Sequence, residues 1–313
     1  MLMVVCYHCL CYYGIWSDSP ITNLNYIKIC KFINSIDMPV FFFISAYLYT
    51  GQLENCKYND TISFIKKKFK RLLIPYFIWA IVINLIFIDR YHFKSILTGI
   101  SHLWFLLTLM MIFLIVHLTR KKWFKMSILS LWGIVFILFV IAPLRDLISI
   151  NILRISQILQ YLPFFFVGII FARYKEKIPS YPIFNVLIVL LLALYILFFF
   201  CFHNTESHFI KILTQYIIIP LSAIIIISSS WILCRHIRFK EVDIIQSLDK
   251  NSMGIYIIHH ILIIAAIENK TLSVFIVNHD IIAPIVLFIA TLLISWLTSL
   301  LLNQFKFSSY LLG

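Results

Sequence analysis

The chain has 313 residues, of which 62% are hydrophobic and 12% charged, and its mean hydropathy is +0.97. A soluble domain carries about 25% charged residues, so this composition excludes a water-soluble globule, which would lack the polar surface to cover itself. A formal charge of +13 would suggest nucleic acid in another setting, but no recognition motif or basic helix interleaves the charges; sitting in short loops, they set membrane topology and face anionic headgroups.

Backbone polar groups inside lipid must be satisfied internally. The apolar runs are continuous rather than alternating, so they read as helices. In chain order they are about Met1–Trp16, Ile33–Gly51, Leu72–Ile88, Leu103–Leu118, Ser127–Ala142, Leu159–Ala172, Phe184–Phe202, Ile212–Leu233, Met253–Ile267 and Ile281–Leu302. Most approach the roughly 20 residues that a bilayer core demands. The first run has no basic segment ahead of it and no small-residue cleavage site, so it reads as a retained span. The fold class expected is all-α, a polytopic transmembrane bundle of about ten helices in one membrane domain over residues 1–313.

Loop charge orients the bundle. Of the 26 Lys and Arg, 18 fall in the loops after the even-numbered spans or in the C-terminal tail, among them Lys66, Lys67, Lys68, Lys70, Arg71, Arg120 and Arg173. This bias places both termini in the cytoplasm. The seven cysteines have spacings that suggest neither a disulfide framework nor a zinc site.

Several residues are candidates for chemistry. His8 is an ionisable side chain inside the first apolar run, which is costly and marks a functional site by default. Held neutral, it suits a general base; the plainer reading is a ring hydrogen-bonded to a neighbouring helix. Ser45 and Tyr47 offer hydroxyls in the second span, as helix glue or as substrate contacts. The basic stretch of Lys66 to Arg71 leads straight into the third span, and Lys68, Lys70 and Arg71 are able to grip phosphates or simply to anchor the helix to headgroups. Trp104, at the start of the fourth span, reads by default as an interfacial belt residue. In the ninth span Tyr256 shares a face with His259 or with His260. Those two histidines point about 100° apart, so at most one of them is expected to face a given site squarely.

The order of these segments is more specific than any one of them. Leu2-Met-Val-Val-Cys-Tyr-His8, Met38-Pro-Val-Phe-Phe-Phe-Ile-Ser-Ala-Tyr-Leu48, Phe69-Lys-Arg-Leu-Leu-Ile-Pro-Tyr76, His102-Leu-Trp-Phe-Leu106 and Ser252-Met-Gly-Ile-Tyr-Ile-Ile-His259 together resemble acyltransferase family 3, membrane O-acyltransferases that modify bacterial surface glycans. The family hallmark is an Arg, ten intervening residues and a His in the first helix. His8 matches the His, while the Arg would fall upstream of Met1, where a preceding native stretch is expected to carry it. Lys68 stands where the family has Arg, and Ser45-Ala46-Tyr47 where it has Ser-Gly-aromatic.

The resemblance implies an O-acetyltransferase that binds no cofactor and no metal. Acetyl-CoA would be its cytoplasmic donor, with the phosphates near Lys68, Lys70 and Arg71, and a hydroxyl of a surface polysaccharide or lipid-linked glycan would be the acceptor. His8 would be catalytic, Ser45, Trp104 and Tyr256 would shape the pocket, and His259 would orient the acceptor. The bacterial cytoplasmic (inner) membrane is the implied location, the lipid bilayer a partner and nucleic acid not one. These motifs write neither the acceptor sugar nor the oligomeric state. A transporter or flippase is the alternative; it would be expected to show repeated halves around broken helices, and no such pairing is present in the sequence.

Overall fold

A computed structural model describes residues 1–13, 23–55, 57–58, 60–87, 92–93, 95–148, 152–175, 223–230 and 243–313. Among them every regular element is helical. The longer elements are α1 (Leu2–Cys11), α2 (Leu24–Glu54), α3 (Thr61–Lys68), α4 (Ile74–Ile86), α5 (Trp104–Leu118), α6 (Ile128–Ile141), α7 (Ile155–Tyr174), α8 (Asp243–Lys250), α9 (Ser252–Glu268), α10 (Lys270–Asn278) and α11 (Ile282–Leu302). Among the described residues six helices are long and apolar enough to cross a membrane, and a seventh if α8 and α9, bent by 73° at their junction, form one span. The chain is therefore an all-α, multi-pass membrane bundle. Eight of the ten expected spans have counterparts here. The expected span Phe184–Phe202 lies outside the described residues, and so does most of Ile212–Leu233, of which 223–230 are helical.

Helix ends depart from hydropathy in two instructive places. The second helix begins at Leu24 rather than near Ile33. Hydropathy marks where lipid begins, whereas a helix carrying Lys28 and Lys31 on its first turns continues beyond it. The third span starts at Thr61, eleven residues before Leu72. Asp60 caps it, its carboxylate accepting from the backbone N–H of Ile62 at 3.2 Å and of Ser63 at 2.8 Å, which satisfies two of the unpaired donors of a first turn.

That span also changes register. Phe69–Leu73 is π-helical, and the Ile74 N–H bonds the carbonyl of Phe69. Pro75 explains the shift: it has no N–H to offer the carbonyl of Arg71, and its ring crowds that carbonyl, so the ladder reforms one residue wider. Lys70 and Arg71 sit on this turn.

The described residues form two compact units: Met1–Asn34 with Lys66–Leu107 and Lys240–Gly313, and Ser35–Ile65 with Thr108–Phe239. In the first, α1 packs against α9 and α11, and α9 against α10 and α11. Val5 and Cys9 of α1 meet Ile255 and Ile263 of α9 and Leu287 of α11. Lipid tails are as apolar as leucine, so close van der Waals fit and polar knots hold such helices together. Gly254 supplies the fit, since a methyl group there would collide with Ser299. Asn251, at the α8–α9 bend, supplies the knot: Ser299 Oγ donates to its Oδ1 at 3.0 Å and Asn303 Nδ2 at 2.8 Å, while its Nδ2 donates to the Ser247 carbonyl at 2.7 Å.

In the second unit α6 packs on α7, and α7 crosses α2 where Gly168 faces Phe43 and Ala46. A methyl on Gly168 would come within 2.8 Å of the Ala46 Cβ. The alanine at the middle of Ser45-Ala46-Tyr47 thus still permits close approach, because the glycine is on the opposite helix.

Candidate active site

Helical periodicity prepares the first unit's site. On α9, Ile255, His259 and Ile263 follow one another at i, i+4 and i+8 and form one stripe; the two isoleucines pack on α1 and carry His259 with them. On α1, His8 lies beside Cys9 and three residues after Val5, next to the face that receives that stripe. The result is a hydrogen bond of 2.9 Å between His8 Nδ1 and His259 Nε2.

The direction of that bond follows from its neighbour. His259 Nδ1 lies 2.9 Å from the Ile255 carbonyl, which only accepts, so Nδ1 carries a proton and Nε2 of the neutral ring is an acceptor. His8 Nδ1 must then donate to it. In neutral His8 this leaves the lone pair on Nε2, and no group among the described residues hydrogen-bonds that atom. His8 is only partly buried. An oriented imidazole with one basic nitrogen open is the arrangement a general base requires.

Two further histidines complete the cluster. His260 and His8 make a T-shaped ring contact at 4.7 Å between centroids, and His102 stacks on His260 at 4.6 Å. His102 Nε2 donates to the Ile257 carbonyl at 3.0 Å, and the Tyr256 hydroxyl donates to the His102 carbonyl. These two bonds tie the chain ahead of α5 to α9. Ser101 Oγ lies 3.0 Å from His260 Nδ1 and 3.4 Å from His102 Nδ1. The expectation that only one of His259 and His260 faces the site gives way to both: His8 makes a T-shaped contact with one ring and bonds the other. Among the described residues no His, Cys, Asp or Glu grouping is arranged to hold a metal.

The family model for the acyltransferase 3 domain matches residues 1–300. The chain belongs to acyltransferase family 3. It is a membrane acyltransferase, and the imidazole cluster lies within the part of the chain that the family model covers. No curated protein and no solved structure matches the chain.

The other sequence-level candidates of this acyltransferase divide between the two units. Lys68, Lys70 and Arg71 belong to the first unit, as His8 does, and the π-helical turn presents Lys70 and Arg71 as exposed side chains. Such turns recur at functional positions because they redirect side chains without ending the helix. The C-terminal turn Ser308–Leu311 packs on the same stretch: Lys70 Nζ lies 4.6 Å from the Tyr310 ring centroid, and Trp79 Nε1 donates to the Leu311 carbonyl at 2.8 Å. Trp104 opens α5, partly buried, in edge contact with Phe105, which in turn meets Tyr256. Ser45 lies on α2 in the second unit, partly buried. The sequence reading weighed His260 only as an alternative to His259, and it passed over His102 and Ser101 as site residues.

Proposed function

We propose that this acyltransferase is an O-acetyltransferase moving the acetyl group of cytoplasmic acetyl-CoA to a hydroxyl of a surface polysaccharide or lipid-linked glycan. It would act in the bacterial cytoplasmic membrane with both termini inside. The observation that carries the reading is the proton wire Ile255 carbonyl–His259–His8, with Nε2 of His8 left open. A sugar hydroxyl is a poor nucleophile toward a thioester until its proton is taken. His8 Nε2 takes it, and the imidazolium so formed holds its charge through the Nδ1–H bond to His259, strengthened because it is now charge-assisted.

His259 is thus a positioning residue for His8. It fixes the tautomer and the ring plane, as a carboxylate does in a hydrolytic triad, without burying a negative charge. Lys70 and Arg71, exposed on the π-helical turn, suit the phosphates of the donor, Arg71 through bidentate contacts. Lys68 at the end of α3 adds a third cation. Trp104 and Tyr256, in the same unit as His8, remain the candidates for shaping the pocket.

The test uses membranes carrying the full chain, supplied with acetyl-labelled acetyl-CoA and a glycan-bearing membrane fraction. Label should enter the glycan in alkali-releasable form, and His8→Ala should reduce its rate by about 10²–10⁴-fold at equal protein level. Glycan labelling at an unchanged rate in the variant would overturn the role of His8; no glycan labelling by the unaltered protein would overturn the choice of donor or acceptor.

A further inference from the structure

We infer that Ser101 is a nucleophile that carries the acyl group as an oxygen ester between donor and acceptor, with His260 as its base. The inference rests on the acyl-transfer reading above and deepens it. Three observations carry it.

The first is the conformation of Ser101. Its φ is +45°, and Gly99 two residues earlier has φ +85°. A left-handed serine costs roughly 1–2 kcal/mol, and strain of this kind gathers at functional positions, where the surrounding structure enforces it. The second is where its hydroxyl lies, within 3.4 Å of ring nitrogens of two histidines.

The third is the direction of its proton. His102 Nε2 is committed as a donor to the Ile257 carbonyl, so in the neutral ring Nδ1 is an acceptor, but it lies 3.4 Å from Ser101 Oγ, at the limit of hydrogen-bond geometry. His260 Nδ1 lies closer, at 3.0 Å, and in the tautomer that leaves this nitrogen unprotonated it accepts the serine's proton. A hydroxyl hydrogen-bonded to an imidazole acceptor, on a strained turn, is the pairing of nucleophile and base. The four histidines then divide the labour: His260 serves Ser101, while His8, oriented by His259, serves the acceptor.

The two half-reactions balance without any oxidant or reductant. Ser101 Oγ attacks the thioester carbonyl carbon as its proton passes to His260 Nδ1. The C–S bond breaks, and the CoA thiolate takes that proton and leaves as the thiol. An acceptor hydroxyl, its proton drawn by His8 Nε2, then attacks the Ser101 ester. The C–Oγ bond breaks, and the serine oxygen regains a proton from the imidazoles.

The experiment incubates membranes containing the full chain with acyl-labelled acyl-CoA and no acceptor. Label should become bound to the protein, stable to neutral hydroxylamine and released by alkaline hydroxylamine, as an oxygen ester is and a cysteine thioester or acyl-imidazole is not. Adding acceptor should discharge it. Ser101→Gly, chosen because glycine accepts the positive φ, should abolish both the label and glycan acylation. Ser101→Cys should give label that neutral hydroxylamine removes, which shows that the variant folds and that position 101 is the acyl carrier. His8→Ala should still acquire label and fail to discharge it. Glycan acylation at an undiminished rate by Ser101→Gly, or acyl label persisting on that variant, would overturn the proposal while leaving the acyltransferase reading intact. If the unaltered protein acylates neither itself nor glycan, both fall together.

Discussion

His8 in the first unit and His117 in the second are both imidazoles on apolar helices, and they differ in what surrounds their nitrogens. His117 is fully buried, stacked on Phe64 at 3.9 Å between ring centroids and 15° between planes, and bonded through Nδ1 to the Tyr49 hydroxyl at 2.9 Å. Its Nε2 is buried without a hydrogen-bond partner among the described residues, enclosed by aromatic rings. His8 is partly exposed, its Nδ1 is wired to His259, and its Nε2 is open. An ionisable side chain on an apolar, membrane-spanning stretch is a pointer to function, and both residues satisfy it. The difference is that one ring is oriented by a second polar group while keeping a basic nitrogen accessible, whereas the other is walled in and serves to lock helices.

The sharpest way to break this comparison is to truncate each ring. His8→Ala should cost about 10²–10⁴-fold in acyl transfer. His117→Ala should instead lower thermal stability, by about 2–4 kcal/mol as expected for a large side chain removed from a packed interior, with the rate per folded molecule largely kept. Acyl-transfer assays and detergent melting curves on both variants measure this, and a comparable rate loss in the two would erase the distinction.

Glycines extend the contrast to helix packing. Gly254 and Gly168 each seat a helix crossing where a Cβ would collide, so valine at either should destabilise by about 1–3 kcal/mol. Gly254→Val should also reduce the acyl-transfer rate more than its stability loss accounts for, because displacement of α9 moves His259 and His260 together. Equal rate losses in the two variants would show that the crossing of α9 with α11 has no special bearing on the cluster.

A smaller effect separates His259→Ala from His259→Gln. Glutamine can donate to the Ile255 carbonyl and accept from His8 Nδ1, so it should restore part of a roughly tenfold loss of kcat seen with alanine, a loss equivalent to about 1.4 kcal/mol. The rise of the rate with pH, which follows the loss of a proton from His8, should move to a different pH in the alanine variant. An unchanged pH profile would leave His259 a packing residue.

Smallest are the changes at the π-helical turn. Arg71→Ala should raise KM for acetyl-CoA by about tenfold with kcat kept, consistent with one or two charge-assisted bonds. Tyr310→Ala, which removes the ring beside Lys70, should change KM by about two- to fivefold, as suits a cation–π contact near solvent. Steady-state kinetics over donor concentration reads both, and an effect on kcat alone would move the donor away from this turn.

How much was legible varies with the physics. Hydropathy located the apolar helices because the bilayer fixes their length and composition. It missed the starts of α2 and α3, since Lys28, Lys31 and the Asp60 cap concern helix formation outside lipid. The π-helical turn was foreshadowed by Pro75 placed four residues after Arg71. His8 stood out because an ionisable group inside an apolar run is rare. His102 and Ser101 did not, and His260 did so only as an alternative to His259, because their meaning lies in ring contacts between residues up to 252 positions apart and in a backbone angle that no residue type announces.

The sequence by itself determined that this chain lives in a membrane as helices, that it carries the ordered motifs of its family, and that His8 sits where an imidazole is expensive to keep. Only the tertiary structure decided which nitrogen of His8 is free, that His259 rather than His260 holds it, and that Ser101 Oγ lies within hydrogen-bond reach of an imidazole. Composition is read along the chain, one residue at a time. The direction of a hydrogen bond depends on which acceptor another helix brings within 3 Å.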